Sequence, residues 1–301
     1  MDLNEAFSLF IQDNFSKGNS DETLYYYNYN IPPFIDFCNS KKISEVENID
    51  SKIFDEYKTH LLLSNPNTKK ITLQTYSRAV KVFINWLSDS NLVNDVGTLK
   101  LIKAETRNIV PLSDAEVEIL LNSFDNSFFG IRNKLICLLM VDSGLRRGEV
   151  VTLLRDNINF INHTMLVIGK GNKERLVPFG LETQKYIKKF ISISNLSDNH
   201  LLQNKYGEPI TRNTIKCFFQ DLKIDTGIQR LYPHLLRHTF ATNYIYYGGD
   251  VESLRILLGH TSITMTQKYV HLAAQQRILN QKYNSHVDKL LNKYDSNAVC
   301  F

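Results

Sequence analysis

Apolar residues recur every three or four positions along most of the chain, a period that predicts helices rather than strands. The clearest example covers residues 71–87, whose apolar positions fall on one helical face. These positions are Leu73, Tyr76, Val80, Phe83, Ile84 and Leu87. Shorter segments with the same period precede it, and Pro32–Pro33 predicts a break between two of them. Residues 1–105 are therefore expected to form an all-helical domain.

The helical period fades between about 88 and 110, which predicts a linker and a domain boundary near residue 106. Order resumes at Ser113 and Glu116, whose spacing is that of a capping box at a helix start. The remaining chain, 106–301, combines helical patterns with a hairpin of apolar strands around Gly169. The predicted fold class is α+β: mainly α, with a small β-sheet in the second domain.

Composition limits the classes of partner. No apolar run reaches the roughly 20 residues that a membrane span needs, so no membrane partner is expected. The four cysteines lie far apart without a C-x-x-C pair, which favours reduced thiols in the cytoplasm over disulfides or a zinc finger. The net charge of +4 is uneven, with an acidic excess before residue 106 and a basic excess after it. A basic second domain favours a polyanion such as nucleic acid.

The polar face of the 71–87 helix is basic and carries an amide, which suits a DNA groove. Lys and Arg bind phosphates, and Gln can bind an adenine edge. The candidate DNA-binding residues are Lys69, Lys70, Gln74, Arg78 and Lys81, with Ser77 on the same face. An ordinary solvated helix face is the alternative that this pattern leaves open.

Side chains that could bind a phosphate occur in two places. Pro233 suits the first turn of a helix, which places His234 beside free backbone amides, with Arg237 one turn further on the same face. Arg146, just after Gly144, also lies at a predicted helix start. Two guanidinium groups can clamp one phosphate and stabilise the charge that its oxygens gain during phosphodiester transfer.

Tyr269 is the candidate nucleophile for such a transfer. A phenol with a pKa of about 10 needs a base or a strong field nearby, and composition cannot select one of 15 tyrosines. Lys173, near the hairpin tip, could protonate the leaving hydroxyl, or could be an ordinary turn lysine. His234 and His238 have the spacing of a zinc pair but lack the glutamate of H-E-x-x-H, so no metal is expected.

Five motifs together resemble the tyrosine recombinase (phage integrase) family in order and spacing. They are S-G-L-R-R-G-E at 143–149, G-K-G-N-K-E-R at 169–175, H-L-L-R-H at 234–238, L-G-H at 258–260, and Tyr269. The resemblance covers the whole second domain, and the first is similar to that family's core-binding helical domain. The length leaves no room for an arm-binding domain before Leu3, which favours a two-domain, Xer-like or transposon type.

The resemblance implies a role for each motif residue. The catalytic set would be Arg146, Lys173, His234, Arg237, His260 and Tyr269. The arginines would bind the phosphate, and the lysine would act as general acid on the leaving 5′ oxygen. The first histidine would assist proton transfer, the second would hydrogen-bond the phosphate, and the tyrosine would form a 3′-phosphotyrosyl link. Glu149 and His238 would have structural or supporting roles.

The resemblance also implies partners. The phosphotyrosyl link conserves phosphodiester energy, so neither ATP nor a metal nor another cofactor is implied. Family members form tetramers on double-stranded DNA with paired recombination sites, and an accessory protein is compatible with this. The amphipathic pattern over 272–291 belongs to a tail of about 272–301, expected to pack on a neighbouring protomer or, alternatively, on its own domain. Pro32–Pro33 interrupts what is usually the first DNA-contacting helix.

Two other functions fit part of the pattern. A non-catalytic, sequence-specific DNA-binding regulator would use the same helices, but every catalytic position is filled. A type IB topoisomerase would share the chemistry, but the short length and the core-binding domain disfavour it. The expected function is therefore site-specific recombination in integration, excision or resolution of DNA.

Overall fold

The computed structural model describes residues 1–94, 96–104, 109–169, 171–195 and 198–280, without the side chains of the last two. The chain divides into two compact units, Met1–Asn108 and Ile109–Phe301. Both are helical, and the second also contains a three-stranded sheet. The predicted mainly helical α+β class is therefore confirmed. Within the described ranges, no helix is long and apolar enough to cross a membrane.

The first unit is built from helices around an aromatic core. Its described α-helices are α1 (Leu3–Ser16), α2 (Asp21–Asn30), α3 (Pro32–Ser40), α4 (Ser51–Ser64) and α5 (Lys70–Asp89). Four of them each contribute a phenylalanine that is at most 1% exposed: Phe10, Phe34, Phe54 and Phe83. The rings of Phe10 and Phe83 meet edge to face at 5.4 Å, a favoured aromatic geometry.

The break predicted at the proline pair is present. Helix α2 ends at Asn30, and α3 begins at Pro32 after the single buried residue Ile31. Proline is tolerated at the first positions of α3 because the amides there have no partner within the helix. The two prolines therefore separate two short helices instead of kinking one long helix.

Helix α5 matches its prediction at both ends but not over its whole polar face. Ser77, predicted to lie on the polar face that suits a DNA groove, is fully buried and donates to the carbonyl of Gln74. The segment after α5 also differs from a plain linker. It has no helix or strand between residues 92 and 104 where described, yet its apolar residues are buried in the core of the first unit. These residues are Val93, Val96, Leu99 and Ile102.

The second unit places its sheet between two groups of helices in the sequence. The first group is α6 (Asp114–Asn122), α7 (Phe128–Val141) and α8 (Arg147–Thr152). The strands β1 (Ile158–Asn159), β2 (Thr164–Ile168) and β3 (Glu174–Pro178) form an antiparallel sheet in the order β1-β2-β3. The second group is α9 (Leu181–Ile193), α10 (Arg212–Thr226), α11 (Pro233–Tyr246), α12 (Val251–Leu258) and α13 (Thr264–Asn280).

Helix α11 joins two cores of the second unit. Leu235 and Leu236 belong to the main core, which surrounds the almost wholly apolar α7. One turn later, Ala241 and Ile245 belong to a smaller core shared with α12 and α13. Side chains three and four residues apart share one face of a helix. The polar residues in the first turns of α11 therefore lie on the side of the helix that faces α13. The candidate site lies there.

Candidate active site

Arg146 is held at the start of α8 by a tight turn. Gly144 has a φ of +66°, and a Cβ there would lie 2.3 Å from a ring carbon of Phe240, so only glycine fits. Two residues later, the Arg146 amide donates to the Glu149 carboxylate at 2.7 Å, which closes the cap of α8. The predicted helix start thus fixes the position of both the backbone and the side chain of Arg146.

Glu149 is a buried carboxylate surrounded by arginines. It is 5% exposed and accepts from Arg146 Nη1 and from both terminal nitrogens of Arg175, each at 2.8 Å, while Arg237 Nη1 lies 3.8 Å away. Burial alone would raise the pKa of Glu149, but hydrogen bonds and charge from Arg175 and Arg146 outweigh it and hold the pKa at about 2. Glu149 is therefore a fixed anion that orients an arginine cluster: Arg146, Arg175 and Arg237.

The same arginines also bind the C-terminal end of α12. Arg175 Nε donates to the carbonyl of Leu257 at 2.6 Å, Arg237 Nη2 to that of Leu258, and Arg146 Nη2 to that of Gly259 at 3.0 Å. Three consecutive carbonyls thus each receive one guanidinium, where a helix end carries partial negative charge. This arrangement fixes the arginines without occupying all of their N–H groups.

Gly259 makes the close approach of these guanidinium groups possible. Its φ is +60°, and a Cβ there would lie 3.2 Å from Arg175 Nη1 and 3.3 Å from Arg146 Nη1. Arg237 itself is 4% exposed and also donates to the Gly144 carbonyl at 2.6 Å. Burial and the nearby Arg146 lower the pKa of Arg237, yet it remains a cation at neutral pH.

Tyr269 lies in the second turn of α13 and points into the same site. Its side chain is 1% exposed, and its Oη lies 2.7 Å from His238 Nδ1. Its ring is parallel to that of His260, with centroids 6.4 Å apart, and Lys268 Nζ lies 4.9 Å from the Tyr269 ring centroid. Burial raises the pKa of Tyr269 to about 12, while Arg237 and Arg146 oppose that rise. The free protein therefore keeps the phenol protonated.

The histidines of the site are neutral at pH 7. Burial, followed by the charge of Lys268, lowers the pKa of His238 to about 4. Burial and Arg237 likewise lower the pKa of His260 to about 4, and its Nδ1 lies 2.9 Å from Thr266 Oγ1. The pKa of His234, at the first turn of α11, is lowered by partial burial and by Arg237. These rings are therefore unprotonated near neutral pH, with a nitrogen lone pair available.

Lys173 is the predicted site residue that does not join this group. It lies in the turn between β2 and β3, where its carbonyl accepts from the Gly169 amide at 2.8 Å. Its side chain is exposed and makes no hydrogen bond or ion pair to a residue that the structure describes. Arg175, two residues later on β3, takes part in the arginine cluster instead.

The candidate DNA-binding residues of α5 divide into two groups. Lys69, Lys70 and Arg78 are exposed. Gln74 Nε2 donates to the carbonyl of Ile102 at 2.8 Å, and Lys81 Nζ donates to that of Leu99 at 2.7 Å. These two side chains therefore hold the 93–102 segment against α5. The three exposed side chains remain accessible, with Arg78 Nη2 also donating to Gln74 Oε1 at 3.4 Å.

Sequence reasoning missed the functional position of two residues. Arg175 lies in the G-K-G-N-K-E-R motif without a role of its own, although a charged residue that alternates with buried strand residues is a signal for a partner. The motif resemblance implies only a supporting role for His238, and its position one turn after His234 on α11 is the available signal. Neither contact could be read from spacing, because each joins segments more than 25 residues apart.

The chain is similar in sequence and in fold to known proteins. Residues 111–276 match the model of the phage integrase family. Tyrosine recombinase XerC of Staphylococcus aureus (strain JH9) is 29% identical over 289 residues, which cover 91% of this chain and 93% of XerC. A solved λ integrase dimer bound to a COC′ core site aligns with a TM-score of 0.71 at 16% identity, over 95% of this chain and 99% of that one.

A second solved structure, the XerH site-specific recombinase in a post-cleavage complex with difH DNA, aligns with a TM-score of 0.68 at 19% identity. It covers 90% of this chain and 79% of the XerH chain. At such low identity the solved structures establish a shared fold, whereas the family model matches more than half of the chain. The chain therefore belongs to the phage integrase family of tyrosine recombinases, as its motifs predicted.

Proposed function

We propose that the protein is a site-specific DNA recombinase that cleaves and rejoins DNA through a 3′-phosphotyrosyl intermediate. The observation that carries this proposal is the placement of Tyr269 beside Arg146, Arg237 and His260 in one site. The nearest described carboxylate, Glu149, is occupied by arginines. Within the described ranges, the site thus has a nucleophile and fixed cations and no cluster of carboxylates of the kind that holds two catalytic metals.

The arginine cluster is suited to a phosphodiester. Arg237 and Arg146 each donate to carbonyls or to Glu149 through part of their guanidinium, and a guanidinium has five N–H groups. The remaining N–H groups would bind the non-bridging oxygens of the scissile phosphate. Because these donors are fixed before DNA binds, they would stabilise the charge of the transition state without reorganising.

The proposed reaction conserves the number of phosphate ester bonds. The Tyr269 oxygen attacks phosphorus, the new O–P bond forms, and the bond from phosphorus to the 5′ oxygen breaks. Lys173 would give a proton to that leaving oxygen, which requires its exposed side chain to reach the site when DNA is bound. Attack by a 5′ hydroxyl of a partner strand on the phosphotyrosine would rejoin the DNA, with no ATP or metal consumed.

The proposed partner is double-stranded DNA with paired recombination sites. The solved XerH, Tn1549 integrase and λ integrase structures in the comparison are complexes with DNA. A homotetramer, an accessory protein and a location in the cytoplasm belong to the same proposal. The buried free thiols Cys38 and Cys137 support a reducing compartment.

Packing of the tail on a neighbouring protomer remains a proposal. Residues 264–278 of α13 contact α11 and α12 of their own unit, and Tyr269 and Ala273 are buried there. The described part of the tail thus packs on its own domain, and the rest of the predicted tail lies outside the described residues.

A nicked DNA substrate tests the proposed function. The nick next to the cleavage position lets the short leaving strand diffuse away, so the covalent intermediate accumulates. Incubation in EDTA followed by a denaturing gel should reveal a covalent protein–DNA band. Tyr269→Phe should lose the band, and Tyr206→Phe, which changes an exposed tyrosine, should keep it. A band that survives Tyr269→Phe, or one that needs a divalent metal, would contradict the proposal.

A further inference from the structure

One ring nitrogen touches the oxygen that attacks phosphorus. His238 Nδ1 lies 2.7 Å from Tyr269 Oη, and the two ring centroids are 5.6 Å apart. Because Tyr269 is 1% exposed, bulk water has little access to its hydroxyl. The proton that the phenol must lose therefore needs an acceptor that belongs to the protein or to the bound DNA.

The other candidate acceptors are placed less well. The ring of His260 lies parallel to that of Tyr269, and its Nδ1 is within hydrogen-bond distance of Thr266 Oγ1. The ring of His234 makes no hydrogen bond to any residue in the described part of the chain. Glu149 is held by Arg146 and Arg175 at a low pKa. Among the described groups, His238 alone is within hydrogen-bond distance of the phenolic oxygen.

From this geometry we infer that His238 is a catalytic residue, the general base that deprotonates Tyr269 during strand cleavage. The inference rests on the proposed recombinase function and assigns to His238 a role that the motif resemblance gave to His234. The inference requires the tautomer of His238 that carries its proton on Nε2, because Nδ1 then accepts the O–H of Tyr269.

The proton and the electron pairs of this step are all accounted for. The lone pair of Nδ1 takes the phenolic proton while the oxygen electrons form the bond to phosphorus, and the 5′ oxygen leaves with the electrons of the broken bond. His238 is then an imidazolium next to the phosphotyrosine. In the reverse step, a 5′ hydroxyl attacks phosphorus, Tyr269 leaves as a phenolate, and the imidazolium returns its proton to it. The base of cleavage is therefore the acid of rejoining.

The positive charges around His238 disfavour its protonated form in the free protein, so we expect it to act as a base only when DNA is bound. Lys268 on α13, His234 and Arg237 on α11, and His260 after α12 all disfavour the imidazolium, so the ring stays neutral and able to accept. In the free protein the proton remains on Tyr269, because burial raises the phenol pKa to about 12. A bound phosphodiester brings negative charge beside these cations, which favours the imidazolium. The phenolic proton itself becomes more acidic as its oxygen bonds to phosphorus, so the transfer to His238 accompanies the attack.

The test measures single-turnover formation of the covalent band on the nicked substrate. His238→Gln keeps a side chain that can accept a hydrogen bond from Tyr269 but cannot take its proton. A cleavage rate lower by on the order of 10²–10⁴-fold is expected, with DNA binding and thermal unfolding close to wild type. His271→Gln, which changes an exposed histidine on α13, should cleave at the wild-type rate. His238→Gln cleaving within a few-fold of wild type would overturn the inference.

A second measurement separates proton removal from positioning. Replacing Tyr269 by 3,5-difluorotyrosine lowers the pKa of the phenol, so a base becomes less necessary. If His238 acts as the base, this residue should restore most of the rate lost in His238→Gln. If the difluorotyrosine protein binds DNA but gains no rate in the His238→Gln background, His238 only positions the ring and the inference fails.

These outcomes are distinct from a failure of the proposed function. If wild type and His271→Gln form no covalent band, the recombinase chemistry itself is wrong. If wild type forms the band, Tyr269→Phe loses it, and His238→Gln is unaffected, only the role of His238 is wrong.

Discussion

The change Glu149→Gln should destabilise the second unit strongly, because it removes the anion that three arginines share. The folded pKa of Glu149 is about 2, against an ordinary value of 4.5. At about 1.4 kcal/mol for each pH unit between the two values, the carboxylate contributes about 3 kcal/mol at neutral pH. Loss of one partner from a buried ion pair costs about 3–5 kcal/mol, which agrees. Glutamine has the same size, so little of this loss is packing.

The assay is urea unfolding at pH 7, followed in parallel by far-UV circular dichroism and tryptophan fluorescence. Trp86 is the chain's only tryptophan and lies in the first unit, so its fluorescence follows that unit. The loss should appear in the dichroism signal, with the fluorescence transition close to wild type. Glu174→Gln is the matched control, since this exposed carboxylate on β3 precedes Arg175 and should change stability by less than about 0.5 kcal/mol.

The pH dependence gives the result that would refute this reasoning. A carboxyl whose folded pKa is lowered contributes its full stability above the unfolded pKa and loses it as the pH falls to the folded pKa. The difference between wild type and Glu149→Gln should therefore be constant above about pH 5 and shrink between pH 4.5 and about 2. A cost below about 1 kcal/mol at pH 7, or a difference that does not shrink with acid, would show that the arginines do not depend on this charge.

Three further predictions follow from other contacts. Gly259→Ala should lower the unfolding free energy by about 1–2 kcal/mol and slow cleavage, because φ is +60° and the new methyl group meets two guanidinium groups. Urea unfolding measures the first effect, and the covalent-band assay measures the second. Arg146→Ala or Arg237→Ala should slow cleavage by about 10²–10³-fold or more in the nicked-substrate assay, with binding in gel shifts largely intact. Lys70→Ala should weaken DNA binding and reduce the slope of log affinity against log salt concentration by about 1. Lys81→Ala leaves the Leu99 carbonyl without its donor, so it should lower the unfolding free energy of the first unit by about 1 kcal/mol and change DNA binding little. The reverse pattern for the two lysines would contradict the division of the α5 face.

Local rules predicted the helices and the hairpin because their causes are local. The capping box at Ser113 and Glu116 is present, and Gly227 caps the end of α10 in the left-handed conformation. The break at Pro32 follows directly from the missing amide proton. In each case the residues that determine the boundary lie within one turn of it.

The errors have long-range causes. The helical period puts Ser77, Gln74 and Lys81 on a polar face open to DNA or solvent, but the 93–102 segment covers part of that face. Its buried apolar residues recur every three positions, which matches neither the 3.6-residue period of an α-helix nor the two-residue period of a strand. Their burial is therefore a result of tertiary packing. Burial of that segment overrode the polar character of the face.

In the candidate site, too, the motif residues were predictable and the long-range contacts between them were not. The motifs located Arg146, Arg237, His260 and Tyr269, and the structure gathers these residues into one site. The partner of Tyr269 could not be predicted, because it depends on how α13 packs across α11. The motif resemblance assigned proton transfer to His234, whereas the contact belongs to His238, four residues along the same helix.

The three carbonyls at the end of α12 have a consequence for how the sequence can vary. Their positions depend on the backbone, so the side chains at Leu257 and Leu258 can change without removing an acceptor from Arg175 or Arg237. An insertion or deletion of one residue before His260 would instead displace all three acceptors together and rotate His260 away from Tyr269. The site should therefore tolerate a changed side chain at Leu257, whereas position 259 requires glycine and the number of residues between α12 and α13 must stay constant.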